Sequence, residues 1–248
     1  MLRVQNLSKS FDGTVALDGF SAEVREREVV GLVGPNGAGK TTLFNVVTGF
    51  LKPDAGEARY RGEAVTGEPP YRVARRGVAR TFQELRLIYR MTVLENVLLA
   101  FPAQAGESAT GAFVRWLEVS RRQRRNREEA LALLAYVGLA EKAGELADEL
   151  SFGQQKLLSL ACCLATGGEL LLLDEPVAGV APGMVDKILG LITDLRGRGK
   201  TVVFIEHNFA AVTEVCDRVI FMDEGRKVAE GTPADIRDNP DVIESYLT

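Results

Sequence analysis

The chain has 248 residues, with 30 Lys+Arg against 34 Asp+Glu, a formal net charge of −4 and 46% hydrophobic residues. That length can bury one large core or two small ones, and the composition excludes disordered, fibrous and disulfide-framework classes. A charge so near balance argues against general nucleic-acid binding.

The three cysteines, Cys162, Cys163 and Cys216, are odd in number and form no CxxC. They read as small buried hydrophobes in a reducing compartment. The opening MLRVQNLSKS has no apolar h-region, and no apolar run reaches the ~18 residues of a membrane helix. A soluble, cytoplasmic chain is expected.

In chain order, LRVQNL and TVALDGFSAEV alternate apolar with polar residues, as half-buried antiparallel strands do. VVGLV is a continuous apolar run, as in a buried parallel strand. The glycine-rich GPNGAGK follows it, then TTLFNVVTG with helical spacing. VARTFQ reads as a strand ending at Gln83. Residues 85–150 read as helical through TVLENVLLAF, AFVRWLEVSRRQRRNREEALALLAYVG and AEKAGELADEL. FPAQAGESATG, between the first two, has loop composition. The basic run 121–127 could touch nucleic acid or anionic lipid, but a solvated helix face balanced by Glu128, Glu129 and the acids of 141–149 is the simpler reading. Trp116 reads as core.

From residue 151 strands and helices alternate. ELLLLDEP is a strand, 182–196 a helix with Pro182 at its start and Gly197 after it, and TVVFIEH a strand. NFAAVTEVC is helical, and RVIFMDEG and RKVAEG are strands. This predicts a mostly parallel sheet with helices on both faces and a ligand site beyond the strands' carboxyl ends.

Gly34, Pro35, Asn36, Gly37, Ala38, Gly39, Lys40 and Thr41 fit G-x-x-x-x-G-K-[ST], and Thr42 follows. A glycine-rich loop lets backbone N–H groups close on a triphosphate, with the next helix pointing its positive end inward. Lys40 then reaches the β/γ-phosphates and the Thr41 hydroxyl takes Mg²⁺. The strand 170–174 ends in two acids. Beside a phosphate loop, Asp174 holds the Mg²⁺ shell, and Glu175, turned aside by strand alternation, faces the attacking water. Hydrolysis is favoured over simple binding.

With these residues in this order, the chain resembles the ATP-binding cassette (ABC) ATPases over essentially its whole length. Gln83 in RTFQ matches the family's glutamine loop, and Ser151, Phe152, Gly153, Gln154 and Gln155 match its signature loop. Asp174 and Glu175 match its Walker B pair, His207 its switch histidine, and Phe11 the aromatic that stacks on adenine. TGFLKPDAGE, MTVLENVLLA, SFGQQ and EHNF look most like the ATPase subunits of branched-chain amino acid importers.

The resemblance implies ATP and Mg²⁺ as cofactors, with Thr41, Gln83 and Asp174 at the metal and Glu175, Gln83 and His207 catalytic. Ser151 alone reads as a helix N-cap. The resemblance implies that Ser151, Gly153 and Gln154 face the γ-phosphate held by a second ATPase subunit, identical or related. Phe152 stands where the family usually has Gly, and Ala181 where it has an Asp coupling the two sites.

The fold implied is α/β: a P-loop NTPase (RecA-like) core from residues 1–84 and 162–248 with an N-terminal antiparallel β subdomain, and an inserted α-helical subdomain over 85–161. Integral membrane permease subunits docking on 84–118, an indirect solute-binding protein, no nucleic acid and a peripheral place on the inner face of the cell membrane are the implied context. The function expected is ATP-driven uptake of branched-chain amino acids or similar small polar solutes. The alternatives are an importer ATPase for another solute such as urea, or a soluble ABC ATPase of translation or repair. A GTPase would need N-K-x-D, which is absent, and a kinase would not need a second anion-binding helix end.

Overall fold

The computed structural model describes residues 1–102, 116–207 and 209–247. Most of the expected loop FPAQAGESATG and the side chain of Trp116 lie outside the described residues. The chain forms two compact units, Met1–Gln83 with Glu169–Ala178 and Pro182–Thr248, and Glu84–Gly168 with Gly179–Ala181.

The strands are β1 (Leu2–Phe11), β2 (Thr14–Val24), β3 (Val29–Val33), β4 (Ala55–Tyr60), β5 (Glu63–Ala64), β6 (Val78–Arg80), β7 (Leu170–Asp174), β8 (Thr201–Ile205), β9 (Arg218–Asp223) and β10 (Arg226–Gly231). An antiparallel sheet has the order β2-β1-β4-β5, and a second sheet the order β10-β9-β3-β8-β7-β6. In the second, β3, β6, β7, β8 and β9 run parallel and β10 is antiparallel to β9.

Alternation explains the antiparallel sheet. Leu2 and Val4 are buried and Arg3 and Gln5 exposed, which would carry Asn6 inward. A register shift between Val4 and Leu7, with Asn6 at φ 48°, puts Leu7 inward instead. In the parallel sheet every residue of β3, β7 and β8 is buried, as their apolar runs VVGLV, LLLL and VVFI favour, and Asp174 and Thr201 at the strand ends are buried with them. A Cβ on Gly31 would come 2.8 Å from Val212 Cγ1 and 2.9 Å from Cys216 Sγ, so glycine there permits a close helix–strand approach.

The first unit carries α1 (Lys40–Val47) and α2 (Pro70–Arg75). Leu43, Phe44, Val46 and Val47 of α1 join Leu7, Leu17 and Phe20 of the antiparallel sheet and Leu32, Leu172 and Ile220 of the parallel sheet in one apolar core. Each such side chain withdrawn from water contributes about 1.5–3 kcal/mol.

The second unit is helical: α3 (Val93–Ala100), α4 (Trp116–Val137) and α5 (Phe152–Ala165). Thr92 and Glu95 close α3 with a capping box. AEKAGELADEL, expected as a helix, is instead two 3-10 turns, Ala140–Lys142 and Ala147–Glu149. Gly144 weakens a helix there, and the amides of Val93 and Leu94 take the carbonyls of Glu145 and Ala143. Arg121, Arg122, Arg124, Arg125 and Arg127 are exposed on α4, and Arg124 pairs with Glu128.

The chain then returns to the first unit through α6 (Pro182–Gly197), α7 (Phe209–Val215), α8 (Pro233–Arg237) and α9 (Pro240–Leu247). Among the described residues no helix is long and apolar enough to cross a membrane.

Candidate active site

Four parallel strands, β3, β6, β7 and β8, end on one edge of the sheet, and each hands its chain to a segment that carries chemistry. Residues 34–41 follow β3, Thr81 to Gln83 follow β6, Glu175 follows β7, and Glu206 and His207 follow β8. This is the position at which open parallel sheets bind ligands. A cleft of about 270 Å³ opens there in the first unit, lined by Asn36, Gly37, Gly39, Lys40, Thr41, Thr42, Gln83, Glu175 and His207, with Ala16 of β2 as a further wall.

The loop 34–39 is held by backbone contacts that only glycine allows. Gly34 and Gly39 have φ of 149° and 96°. A Cβ would lie 1.9 Å from the Met222 carbonyl oxygen at Gly34 and 2.1 Å from the Ala16 carbonyl oxygen at Gly39. Helix α1 begins with no side-chain cap and no acid in its first turn. Its ladder opens with Leu43 N–H donating to Gly39 O at 2.9 Å, so the amides of Lys40, Thr41 and Thr42 precede it at the positive helix end. This uncapped end is fitted to an anion.

Lys40 is 6% exposed. Its ammonium donates to the carbonyl oxygens of Gly34 at 2.8 Å and Pro35 at 2.7 Å, curling back over its own loop. Burial pulls it below the ordinary lysine range, while the charges of Glu175, Asp174 and Asp223 push the other way. A polyphosphate is a stronger partner for such a cation than neutral carbonyls.

Three residues far apart in sequence meet at the cleft. Gln83 Nε2 donates to Glu175 Oε2 at 3.4 Å, and His207 Nε2 lies 3.0 Å from Glu175 Oε1. Glu175 has φ 48°, and its N–H donates to Ile205 O at 3.0 Å. A left-handed turn just past β7, rather than strand alternation, therefore redirects the Glu175 side chain, which corrects the sequence expectation. VARTFQ likewise stops as a strand at Arg80. Thr81 N–H still donates to Leu172 O, and beyond it Gln83 reaches the cleft.

Asp174 sits behind the cleft, 2% exposed, bonded by Arg80 Nη2 to its Oδ2 at 2.9 Å. Thr81 Oγ1 accepts from its N–H at 3.0 Å. Glu206, also 2% exposed, accepts from Val177 N–H at 2.9 Å and ties the turn after Glu175 to the strand before His207. Arg80 and Glu206 were not singled out from the sequence. A charged residue within or at the end of an apolar strand is the signal that could have found them.

Phe11 ends β1, exposed, with the Lys9 ammonium 5.5 Å from its ring centroid. Among the described residues Ala16 lines the cleft and Phe11 does not. Ser151, Gly153 and Gln154 belong to the second unit. Ser151 caps α5: its Oγ accepts from Gln154 N–H at 3.4 Å, and Gln154 Oε1 accepts from Ser151 N–H at 2.9 Å. In the same unit Ile88, Tyr89, Leu99 and Phe152 are exposed, whereas Leu87 is buried.

The donor set fits a magnesium nucleotide. Among the described residues no group of three or more His, Cys, Asp or Glu forms a cation cage. Mg²⁺ does not need one, because it binds through one or two carboxylates together with substrate phosphates.

Comparison with known proteins agrees with this geometry. Residues 17–178 match the family profile described as ABC transporter, and residues 226–247 that of the branched-chain amino acid ATP-binding cassette transporter. The chain is 41% identical over its whole length to the high-affinity branched-chain amino acid transport ATP-binding protein BraF of Pseudomonas aeruginosa, covering 97% of it. It is 40% identical, with the same coverage, to LivG of Escherichia coli K12. Among solved structures, the ADP conformation of the ATP-binding cassette MJ1267 is similar with a TM-score of 0.85 at 35% identity, over 100% of this chain and 98% of that one. The dimeric cassette MJ0796 is similar with a TM-score of 0.80 at 26% identity, over 94% of this chain and 99% of that one. A profile match over more than half of the chain and relatives at this identity leave one assignment: the chain belongs to the ABC transporter family, as an ATP-binding cassette.

Proposed function

We propose that this chain is the ATP-hydrolysing subunit of an importer for branched-chain amino acids or closely similar small polar solutes. The observation that carries the hydrolytic reading is Glu175 held between Gln83 and His207 at the mouth of the phosphate-loop cleft. The solute reading is supported by the transport named for BraF and LivG and by the match over 226–247.

In this reading the amides of 37–42 and the Lys40 ammonium bind the β- and γ-phosphates of ATP, and Phe11 stacks on the adenine. Lys40 exchanges its two loop carbonyls for phosphate oxygens. Thr41, Gln83 and Asp174 would hold Mg²⁺, which when bound would supply charge that offsets that of the phosphates. Glu175 takes the proton of the attacking water as that oxygen bonds to the γ-phosphorus and the bond to the β-phosphate oxygen breaks. His207 donates to the γ-phosphate and orients Glu175. Positioning and electrostatics supply most of the acceleration.

Ser151, Gly153 and Gln154, at the positive end of α5, face the γ-phosphate bound by a second cassette, so that ATP joins the pair and hydrolysis loosens it. The exposed apolar side chains of Ile88 and Tyr89 suit contact with permease subunits. The chain then works at the inner face of the cell membrane. Two measurements test this: uptake of labelled leucine and of labelled urea by cells with and without the gene, and a pull-down from detergent-solubilised membranes. Leucine uptake is expected to fall and integral membrane partners to be recovered. Unchanged leucine uptake overturns the solute assignment, and the absence of integral membrane partners overturns the transporter reading.

A further inference from the structure

Arg80 is an uncommon residue for its place. It lies on β6, paired to the leucine run of β7, and its side chain is only 5% exposed. Its two terminal nitrogens serve different elements. Nη2 donates to Asp174 Oδ2 at 2.9 Å, while Nη1 donates to Asn45 Oδ1 at 2.6 Å and to Thr48 Oγ1 at 3.3 Å. Asn45 lies on α1 and Thr48 is its C-cap. The guanidinium carbon lies 5.4 Å from the centroid of Phe44 and 4.8 Å from that of Phe82, and Phe82 packs edge-on against Phe50. One planar fork therefore ties together the tip of β7, the helix that starts at the phosphate loop, and the residue before Gln83. An arginine fork is preorganised for such a link in a way that a lysine is not. Partners that orient a metal-holding side chain set metal affinity without touching the metal.

We propose that Arg80 is a positioning residue. It locks the Asp174 carboxylate to α1, fixes its spacing from Thr41, and thereby sets the magnesium requirement of nucleotide binding. The inference rests on the reading of Thr41 and Asp174 as the Mg²⁺ holders.

The test is a binding titration of the full chain with a fluorescent ATP analogue, at varied Mg²⁺ and in EDTA. Arg80→Lys keeps the charge and loses the fork, while Asn45→Ala keeps the ion pair and removes one anchor. Both are expected to raise the half-saturating Mg²⁺ by about tenfold while leaving the affinity in EDTA at the wild-type value. Arg80→Met strands a buried carboxylate and is expected to lower the melting temperature, so the two milder variants decide the matter. Asp174→Asn is measured alongside. If Asp174→Asn shifts the Mg²⁺ dependence and neither milder variant does, Arg80 is an ordinary buried ion-pair partner and the inference fails alone. If Asp174→Asn shifts nothing, the metal reading of Asp174 fails and takes the inference with it. Equal affinity losses with and without Mg²⁺ mean general damage to the cleft and also overturn the proposal.

Discussion

Replacing Glu175 by Gln separates chemistry from folding at one position. The amide has the size of the carboxylate and can still meet Gln83 and His207, which lie 3.4 Å and 3.0 Å from the Glu175 oxygens. It keeps the Cβ, so the backbone cost of φ 48° is unchanged. What it loses is the ability to take a proton. General-base catalysis contributes about 10²–10⁴-fold, or about 2.7–5.4 kcal/mol of barrier. Phosphate release in single turnover is expected to slow by that factor, with melting temperature and ATP affinity kept. Size-exclusion chromatography in ATP should show a stable pair of cassettes. Glu175→Ala and Glu175→Gly refine the argument. Both lose the two contacts, but Gly also removes a left-handed strain of about 1–2 kcal/mol against a flexibility cost of about 0.5–1 kcal/mol. The Gly variant should therefore melt above the Ala variant while both stay inactive. Hydrolysis by Glu175→Gln within about threefold of wild type would refute Glu175 as the water-activating group. A Gly variant less stable than the Ala variant would refute the strain.

Phe11 is 42% exposed, so Phe11→Ala should leave the melting temperature unchanged. Losing a base–aromatic stack worth about 1–3 kcal/mol should weaken ATP binding about 5–150-fold, and calorimetric titration giving wild-type affinity would remove Phe11 from the adenine site. Burial pushes the Cys162 thiol up to about 12 and raises that of Cys216 as well, while Cys163 is buried. The native chain at pH 8 should resist iodoacetamide at all three and react at all three in guanidinium. Rapid labelling of native Cys162, read by mass spectrometry, would contradict its packing.

The sequence by itself determined the parallel sheet and pointed to a candidate site at the carboxyl ends of its strands. The runs VVGLV, LLLL and VVFI of β3, β7 and β8 are apolar and buried throughout, because a strand covered on both faces favours apolar residues at successive positions. The phosphate loop was legible because its glycines answer local demands on φ and close approach. Legible too was the N-cap at Ser151, a contact between residues three apart. Local rules failed where distant backbone intervened. Residues 140–150 have helical spacing, yet the amides at the start of α3 draw their carbonyls away.

Only the tertiary structure decided which side chains share a space. Gln83 and His207 were picked out by resemblance and Glu175 by its place after a buried strand, not by any local mark of proximity, and they meet because β8 lies between β3 and β7 while β6 pairs with β7. That order arises from packing among apolar strands that sequence periodicity cannot tell apart. The same holds for Arg80: its charge in the short strand VAR marks it as unusual but does not say which partners it meets. Its partners Asn45, Thr48 and Asp174 stand 35, 32 and 94 residues away. Burial makes that charge require partners, and the fold supplies them.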